Sequence, residues 1–411
     1  MLKLGPKSIF ILIAVFALCT CIDPYTPKLI GYNSLLVVDG LITDANSSFT
    51  IKLSQTFEDQ NSTPASVSDA TLFITDDAGK KSNLKNKGKG IYKTDSLEFK
   101  GTIGRTYILH IQTHSGEEFE SDACLMHSVP DIDSVYFEKD QKTTNNGTQI
   151  LDGLSIFLDS KGGDNNQYYR WSYDETWKFK VPFPKKYDFN YADCTVVPLP
   201  GASIKDLCWK NRKSDEILVR PVYAGEPTTV RKEPILFIAS CQSDRLLLQY
   251  SVLINQYSIS KKEYDFWNNL KQVNESGGDI FAKQPFSVIS NIHNINNPKE
   301  RVLGYFQVSA VKQRRKYVLH SEVGSLNLPY YLSPCVTFEK SPSDLQVPDG
   351  PVMTWYDVYE TFGSTKKYSL VDAKFLPLSN NLLKMVFTTQ ECGNCELTGT
   401  RKKPDFWIDL N

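Results

Sequence analysis

The chain has 411 residues with 46 basic and 47 acidic side chains, a net charge of −1. That near-neutral balance excludes the basic surplus of a nucleic-acid binder and the acidic block of a disordered tail. An apolar share of 41%, with 21 Tyr and 22 Phe, fits β-rich sandwiches, and the length suffices for two or three domains with their own cores.

Residues 1–20 read as an export signal peptide. Lys3 and Lys7 precede an unbroken apolar run, Ile9 to Leu18, which then meets the small-residue junction Leu18-Cys19-Thr20-Cys21. The run is too short to cross a bilayer and has the layout of a secretory leader. Leu18 three places before Cys21, with Thr20 just before it, matches a bacterial lipobox with Cys21 as lipid acceptor. Cys19 is the rival acceptor, with less fitting residues ahead of it. A single acyl chain, at about 0.8 kcal/mol per buried CH₂, anchors only marginally, so a lipoprotein cysteine carries two or three. Residues 21–33 then form a proline-bearing tether that reaches up to roughly 40 Å, and Asp23 stands where an acidic residue can act as a sorting signal. After Cys21 no apolar run is long enough for a membrane helix.

From 34 to 126 the chain alternates short apolar strands with turns: SLLVVDGLIT, SFTIKLSQT, ATLFITDD, GIYKTD, RTYILHIQT and EEFESDA. Asp76 to Gly79 and His114 to Gly116 are hairpin turns. The expectation is a β-sandwich of immunoglobulin-like or transthyretin-like type. Pro130 marks a boundary, and residues 127–411 are expected to form a larger β-rich sandwich domain. Lys139 to Thr148 reads as loop. In YYRWSYDETWKFKV, Tyr169, Trp171 and Tyr173 alternate on one face, as in a strand with one buried side. Residues 181–215 read as a proline-rich irregular excursion.

One short amphipathic helix is expected near 261–274. Ser260 and Glu263 have capping-box spacing, and Phe266, Leu270 and Val273 share a face. Its expected place is across an open sandwich end. RVLGYFQVSAV reads as a strand ending in a basic turn, Lys312 to Lys316. Residues 341–366 read as irregular, and the tail carries Cys392-Gly393-Asn394-Cys395 and a closing Pro-Asp-Phe-Trp.

Taken together, C-I-D-P-Y-T-P from Cys21, Y-Y-R-W from Tyr168, Cys208-Trp209, Q-Y-S-I-S-x-x-E-Y-D-F-W from Gln256, G-G-D-I-F from Gly277, V-L-G-Y-F-x-V-S from Val302 and C-G-N-C with K-P-D-F-W from Cys392 to Trp407 resemble a family of Bacteroidota outer-membrane lipoproteins catalogued as a domain of unknown function. Ser290-Asn291, where that family has Gly-Asn, is a departure, as is Thr20. The resemblance implies a surface lipoprotein encoded beside TonB-dependent transporters, and it carries over no catalytic residues.

Seven cysteines follow Cys21. In an oxidising compartment disulfides are the first reading, and an odd number leaves at least one thiol. Cys208 and Cys335 are expected to bridge to Cys392 and Cys395, with Cys194 able to replace either; Cys124 and Cys241 are the candidate buried thiols. A zinc site built on the C-x-x-C is the weaker alternative, and a redox motif weaker still. The five His lack metal-ligand spacing, no G-x-S-x-G or phosphate loop occurs, and Asp159 to Asn166 matches a calcium loop poorly. No cofactor is called for. Asp131 and Asp133 read as strand caps, not a catalytic pair. Trp177, Phe183, Tyr187, Phe189 and Tyr191 form either a partner surface or the packing of the excursion.

The functional expectation is therefore not an enzyme. It is a surface-exposed outer-membrane lipoprotein, held by lipid on Cys21, serving as accessory or binding subunit of a TonB-dependent transporter or related barrel. A stand-alone glycan- or peptide-binding module is the alternative.

Overall fold

The structure, a computed structural model, describes residues 34–56, 63–144, 147–162, 168–221, 229–276, 288–329, 335–377, 379 and 381–410. The leader, Cys21 and the tether lie outside these residues, as does the G-G-D-I-F segment. The chain is mainly β, as its alternating patterns predict, with few and short helices besides Lys261–Ser276.

The first sandwich packs two sheets whose inward positions alternate with outward ones. Leu36–Ile42, Thr50–Gln55 and Ile91–Lys93 lead one sheet; Thr71–Asp76, Thr106–Gln112 and Glu118–Ser121 lead the other. Val38, Ile51, Leu53, Leu72, Ile74, Leu109 and Ile111 fill the space between. The expected boundary at residue 126 does not hold. Leu303–Val308 pairs in parallel with Leu36–Ile42, Ile292–Asn294 pairs with Glu118–Ser121, and Ile292, Val302, Phe306 and Val308 join the same core. The residues between supply the long connection that a parallel pair needs. At Gly304 the backbone has φ +87°, and a Cβ would collide with the Val38 carbonyl, so only glycine fits there.

The second sandwich sets Ile132–Thr143, Ile150–Ser160 and Val230–Ala239 against a five-stranded sheet of Leu207–Lys213, Tyr168–Lys180, Gln249–Ser258 and Val311–Leu319, with Leu218–Pro221 paired to the start of Tyr168–Lys180. Tyr169, Trp171, Tyr173, Trp177 and Phe179 all point into its core, as the period-two reading requires. Trp171 Nε1 donates to its cross-strand neighbour Gln256 Oε1 at 2.9 Å, and across the core Gln256 Nε2 donates to the Pro130 carbonyl and to Ser160 Oγ. Two loop assignments are corrected. Lys139 to Thr143 continues a strand, pairing with Ile150 to Leu154; ladder hydrogen bonds hold this polar hairpin without side-chain burial. The basic turn is a strand, Val311–Leu319, whose Lys312, Arg314 and Lys316 find partners along residues 131–137. Lys312 pairs with Asp131 at 3.0 Å, Arg314 donates to the Ile132 carbonyl, and Lys316 lies over Phe137.

The helix Lys261–Ser276 does not close a sandwich end. It sits at the joint of the two sandwiches: Phe266 packs on Tyr305 of the first, and Tyr264 on Tyr168 of the second. Ser260 Oγ accepts from the Glu263 N–H as expected, at 3.2 Å.

A third core, absent from the expected domain division, gathers Phe189, Val358, Tyr359, Leu370, Met385 and Phe387. Its sheet is Phe338–Lys340, Leu382–Thr389 and Tyr368–Phe375. Against it pack a ribbon, Tyr187–Asn190 with Thr195–Pro198, and a helical turn from Trp355 to Gly363. Thus neither 181–215 nor 341–366 is irregular throughout. The turn opens on a Thr354/Asp357 capping box, legible in T-W-Y-D but not recognised there.

Candidate functional site

Cys208 bonds to Cys395 and Cys335 to Cys392. The two cysteines of the C-x-x-C therefore go to different bodies. Cys395 ties to a strand of the second sandwich and Cys392 to the segment entering the third core. Cys194 is exposed, on the turn of the ribbon. Cys241 is exposed as well, against expectation, because the strand ends at Ala239 and the chain turns outward. Cys124, expected to be buried, is only partly so; burial of the thiol, with the Glu263 charge, pushes it up to about 12. Asp131 and Asp133 engage Lys312 and Arg231. Of the five aromatics singled out, Trp177 and Phe189 are buried, Phe183 and Tyr187 half-buried, and Tyr191 exposed beside Tyr356. Among the described residues no group of three His, Cys, Asp or Glu could hold a metal ion.

What the fold does present is the outer face of the five-stranded sheet. Pairing places Ser172, Asp174 and Thr176 beside Asn255, Leu253 and Ser251, and these beside Gln313, Arg315 and Tyr317. The side chains fix one another. Gln313 Nε2 donates to Asn255 Oδ1 at 2.7 Å, Asn255 Nδ2 to Ser172 Oγ at 3.2 Å, and Arg315 Nη1 to Ser251 Oγ at 3.0 Å. Thr176 Oγ1 donates to Asn211 Oδ1 at 2.8 Å. Aromatic rings flank the row: Arg170 lies over Tyr257 and Trp267, and Arg315 lies 3.6 Å from the centre of the half-exposed Phe406 ring. One end is covered by the tail. Tyr317 OH donates to the Phe406 carbonyl, Trp407 packs on Trp209, and Lys403 and Lys178 hold the Asp409 carboxyl down at about 2. Thr176, Ser251 and Asn255 are buried within this row, and Tyr257 is buried beneath Arg170, so Ser172, Asp174, Gln313 and Arg315 are the groups of the row open to a polar partner.

Two of the concavities that lie off this face bear on function. The larger, about 690 Å³, is floored by Val181, Pro182, Leu247, Leu248 and Leu328 and rimmed by Lys180, Lys186, Asp206 and His320. The other, about 280 Å³, lies at the joint of the sandwiches and is lined by Asp122, Cys124, His127, Glu263 and Tyr305. There Glu263 is 4% exposed and accepts from Trp267 Nε1 at 3.3 Å; burial pushes its carboxyl up to about 7, opposed by the charge of Arg170. Burial also lowers His127.

Sequence reasoning missed two buried polar groups. Glu175 stands in phase with Tyr173 and Trp177; its carboxylate meets Arg245 at 3.1 Å and Tyr250 OH at 2.8 Å, and burial raises its pKa. A charge within an aromatic period-two row was the available signal. Asn291 accepts from the Phe306 N–H and donates to the Phe306 carbonyl, both at 2.9 Å, so its amide acts as one residue of a neighbouring strand. Nothing local in the sequence marks that role.

The model of a family described as a domain of unknown function (DUF4249) matches residues 22–315. No curated protein matches the chain. Among solved structures, one titled "Biofilm associated protein - BSP domain" is similar at 6% identity and a TM-score of 0.11, over 74% of this chain and 63% of that one, a likeness that carries no argument.

Proposed function

The chain belongs to the family described as a domain of unknown function (DUF4249), and from that premise we propose that it is a lipid-anchored binding subunit without chemistry of its own. In this reading Cys21 carries the acyl anchor, and the folded part stands on the surface of a Bacteroidota outer membrane. There it serves as accessory to a TonB-dependent transporter or related barrel in nutrient uptake or envelope assembly. The observation that carries the binding role is the outer sheet face, whose accessible Gln313 and Arg315 are oriented by hydrogen bonds to the buried Asn255 and Ser251. Such pre-organisation lowers the ordering cost of association. The anchor rests on the lipobox-like residues before Cys21.

The test is affinity purification of the full chain in mild detergent, with an Arg315→Glu, Gln313→Lys variant alongside. Recovery of a barrel protein with the wild type and its loss with the variant is the expected result. Recovery of no barrel from either sinks the accessory role. Membrane association that survives Cys21→Ala and globomycin sinks the anchor. The same row of amides between aromatic rings also favours a second reading, a stand-alone glycan-binding module. Saturable glycan binding by a chain that recovers no barrel supports that one.

A further inference from the structure

We propose that the groove of about 690 Å³ beside the proline-rich segment is a binding site for a single-chain amphiphile with an anionic head, a long-chain carboxylate. A site of this size, with an apolar floor and few polar groups, has the make-up of a small-molecule pocket. The floor is aliphatic, so it offers no exposed ring on which a sugar would stack. Pro182, Pro184 and Pro329 line it and have no N–H, so an extended peptide finds no donor ladder there. An acyl chain needs neither, because its burial is non-directional.

The rim selects the head by charge. Asp206 is held by Lys180 at 3.3 Å, while Lys186 and His320 also face the groove. Among the described residues no carboxylate pairs with Lys186 in the ion pairs of this fold, so the balance left at the rim is positive. The His320 ring is steadied by Nδ1 lying 3.3 Å from the Leu246 carbonyl. Leu247 and Leu248, immediately beyond that carbonyl, are part of the floor, so the segment that steadies the His320 ring also supplies apolar contacts. This site is independent of the outer sheet face and of any barrel partner.

The test uses the full chain as Cys21→Ala, purified without detergent so that no acyl chain of its own competes. Dodecanoate is titrated calorimetrically below its micellar concentration. Saturable one-to-one binding is expected, tightening two- to fourfold per methylene from octanoate upward, since a fully buried CH₂ contributes about 0.8 kcal/mol. Lys186→Glu, an exposed change that spares the fold, weakens dodecanoate at least tenfold, and dodecanol binds at least tenfold more weakly than dodecanoate. Leu247→Asp abolishes binding, with circular dichroism as the check on folding. Non-saturating uptake, equal binding by Lys186→Glu, or tighter binding of dodecyltrimethylammonium than of dodecanoate overturns the proposal. So does saturable binding of an acidic leucine-rich peptide that dodecanoate fails to displace.

Discussion

Glu263→Gln exchanges a buried carboxyl for an amide of nearly the same shape at the joint of the two sandwiches. Glu263 lies on the first turn of Lys261–Ser276, is 4% exposed, and faces Trp267, Arg170, Cys124 and Tyr305. Desolvation is the largest influence on it and lifts its carboxyl from 4.5 to about 7; Arg170 and the Trp267 N–H pull the other way and lose. A raised folded-state pKa means that the native chain binds the proton more tightly than the unfolded one. The associated stability is therefore fully present below pH 4.5 and is lost as pH rises to about 7. The rise from 4.5 to about 7 corresponds to about 3 kcal/mol between pH 4 and pH 8. In the glutamine variant that portion of the pH dependence disappears, because an amide does not titrate. The assay is native-state hydrogen exchange of the 261–276 amides at a series of pH values, corrected for intrinsic exchange, with urea unfolding followed by tryptophan fluorescence as a second readout. The wild type is expected to lose helix protection from pH 5 to pH 8 and the variant to hold it. Equal slopes for the two chains would refute the reasoning.

Other perturbations act through packing and covalent links. Gly304→Ala sets a Cβ against the Val38 carbonyl at a positive φ and should cost more than about 1 kcal/mol, read as a lower urea midpoint. Asn291→Ala leaves the Phe306 N–H and carbonyl buried without their amide partner, a loss of roughly 1–3 kcal/mol for each; faster exchange of the Phe306 amide is the specific sign. Replacing both Cys335 and Cys392 by serine opens a closure of 57 residues, about 4 kcal/mol by chain entropy, and should release the third core to limited proteolysis before the two sandwiches. Trp407→Ala removes a buried ring packed on Trp209 and Tyr317, at about 3–5 kcal/mol, and should expose the tail to carboxypeptidase.

The class of fold was legible in the sequence wherever a single residue's pattern reports on its own surroundings. Tyr169, Trp171 and Tyr173 alternate because one side of their strand is dry, and no distant residue is needed to see it. The helix at Lys261 was equally local, since a capping serine and a 3.6-residue apolar stripe act within a few turns. The expected leader and Cys21 are local features too, read from charge, apolar length and a small-residue junction. What locality cannot decide is which strand lies beside which. Leu303–Val308 reads as a strand from its own residues, but its membership of the first sandwich is fixed by a parallel partner some 260 residues earlier and by the absence of a side chain at Gly304. The basic run Lys312 to Lys316 looked like a turn because its charges had no visible partners; Asp131, the Ile132 carbonyl and Phe137 supply them only in three dimensions. The sequence by itself determined the β class, the period of each strand and the cysteines available for bridging. Tertiary structure alone decided the three cores, the borrowed strands, the polar row and the apolar groove, because those depend on contacts between residues far apart in the chain, and no local propensity encodes such distances.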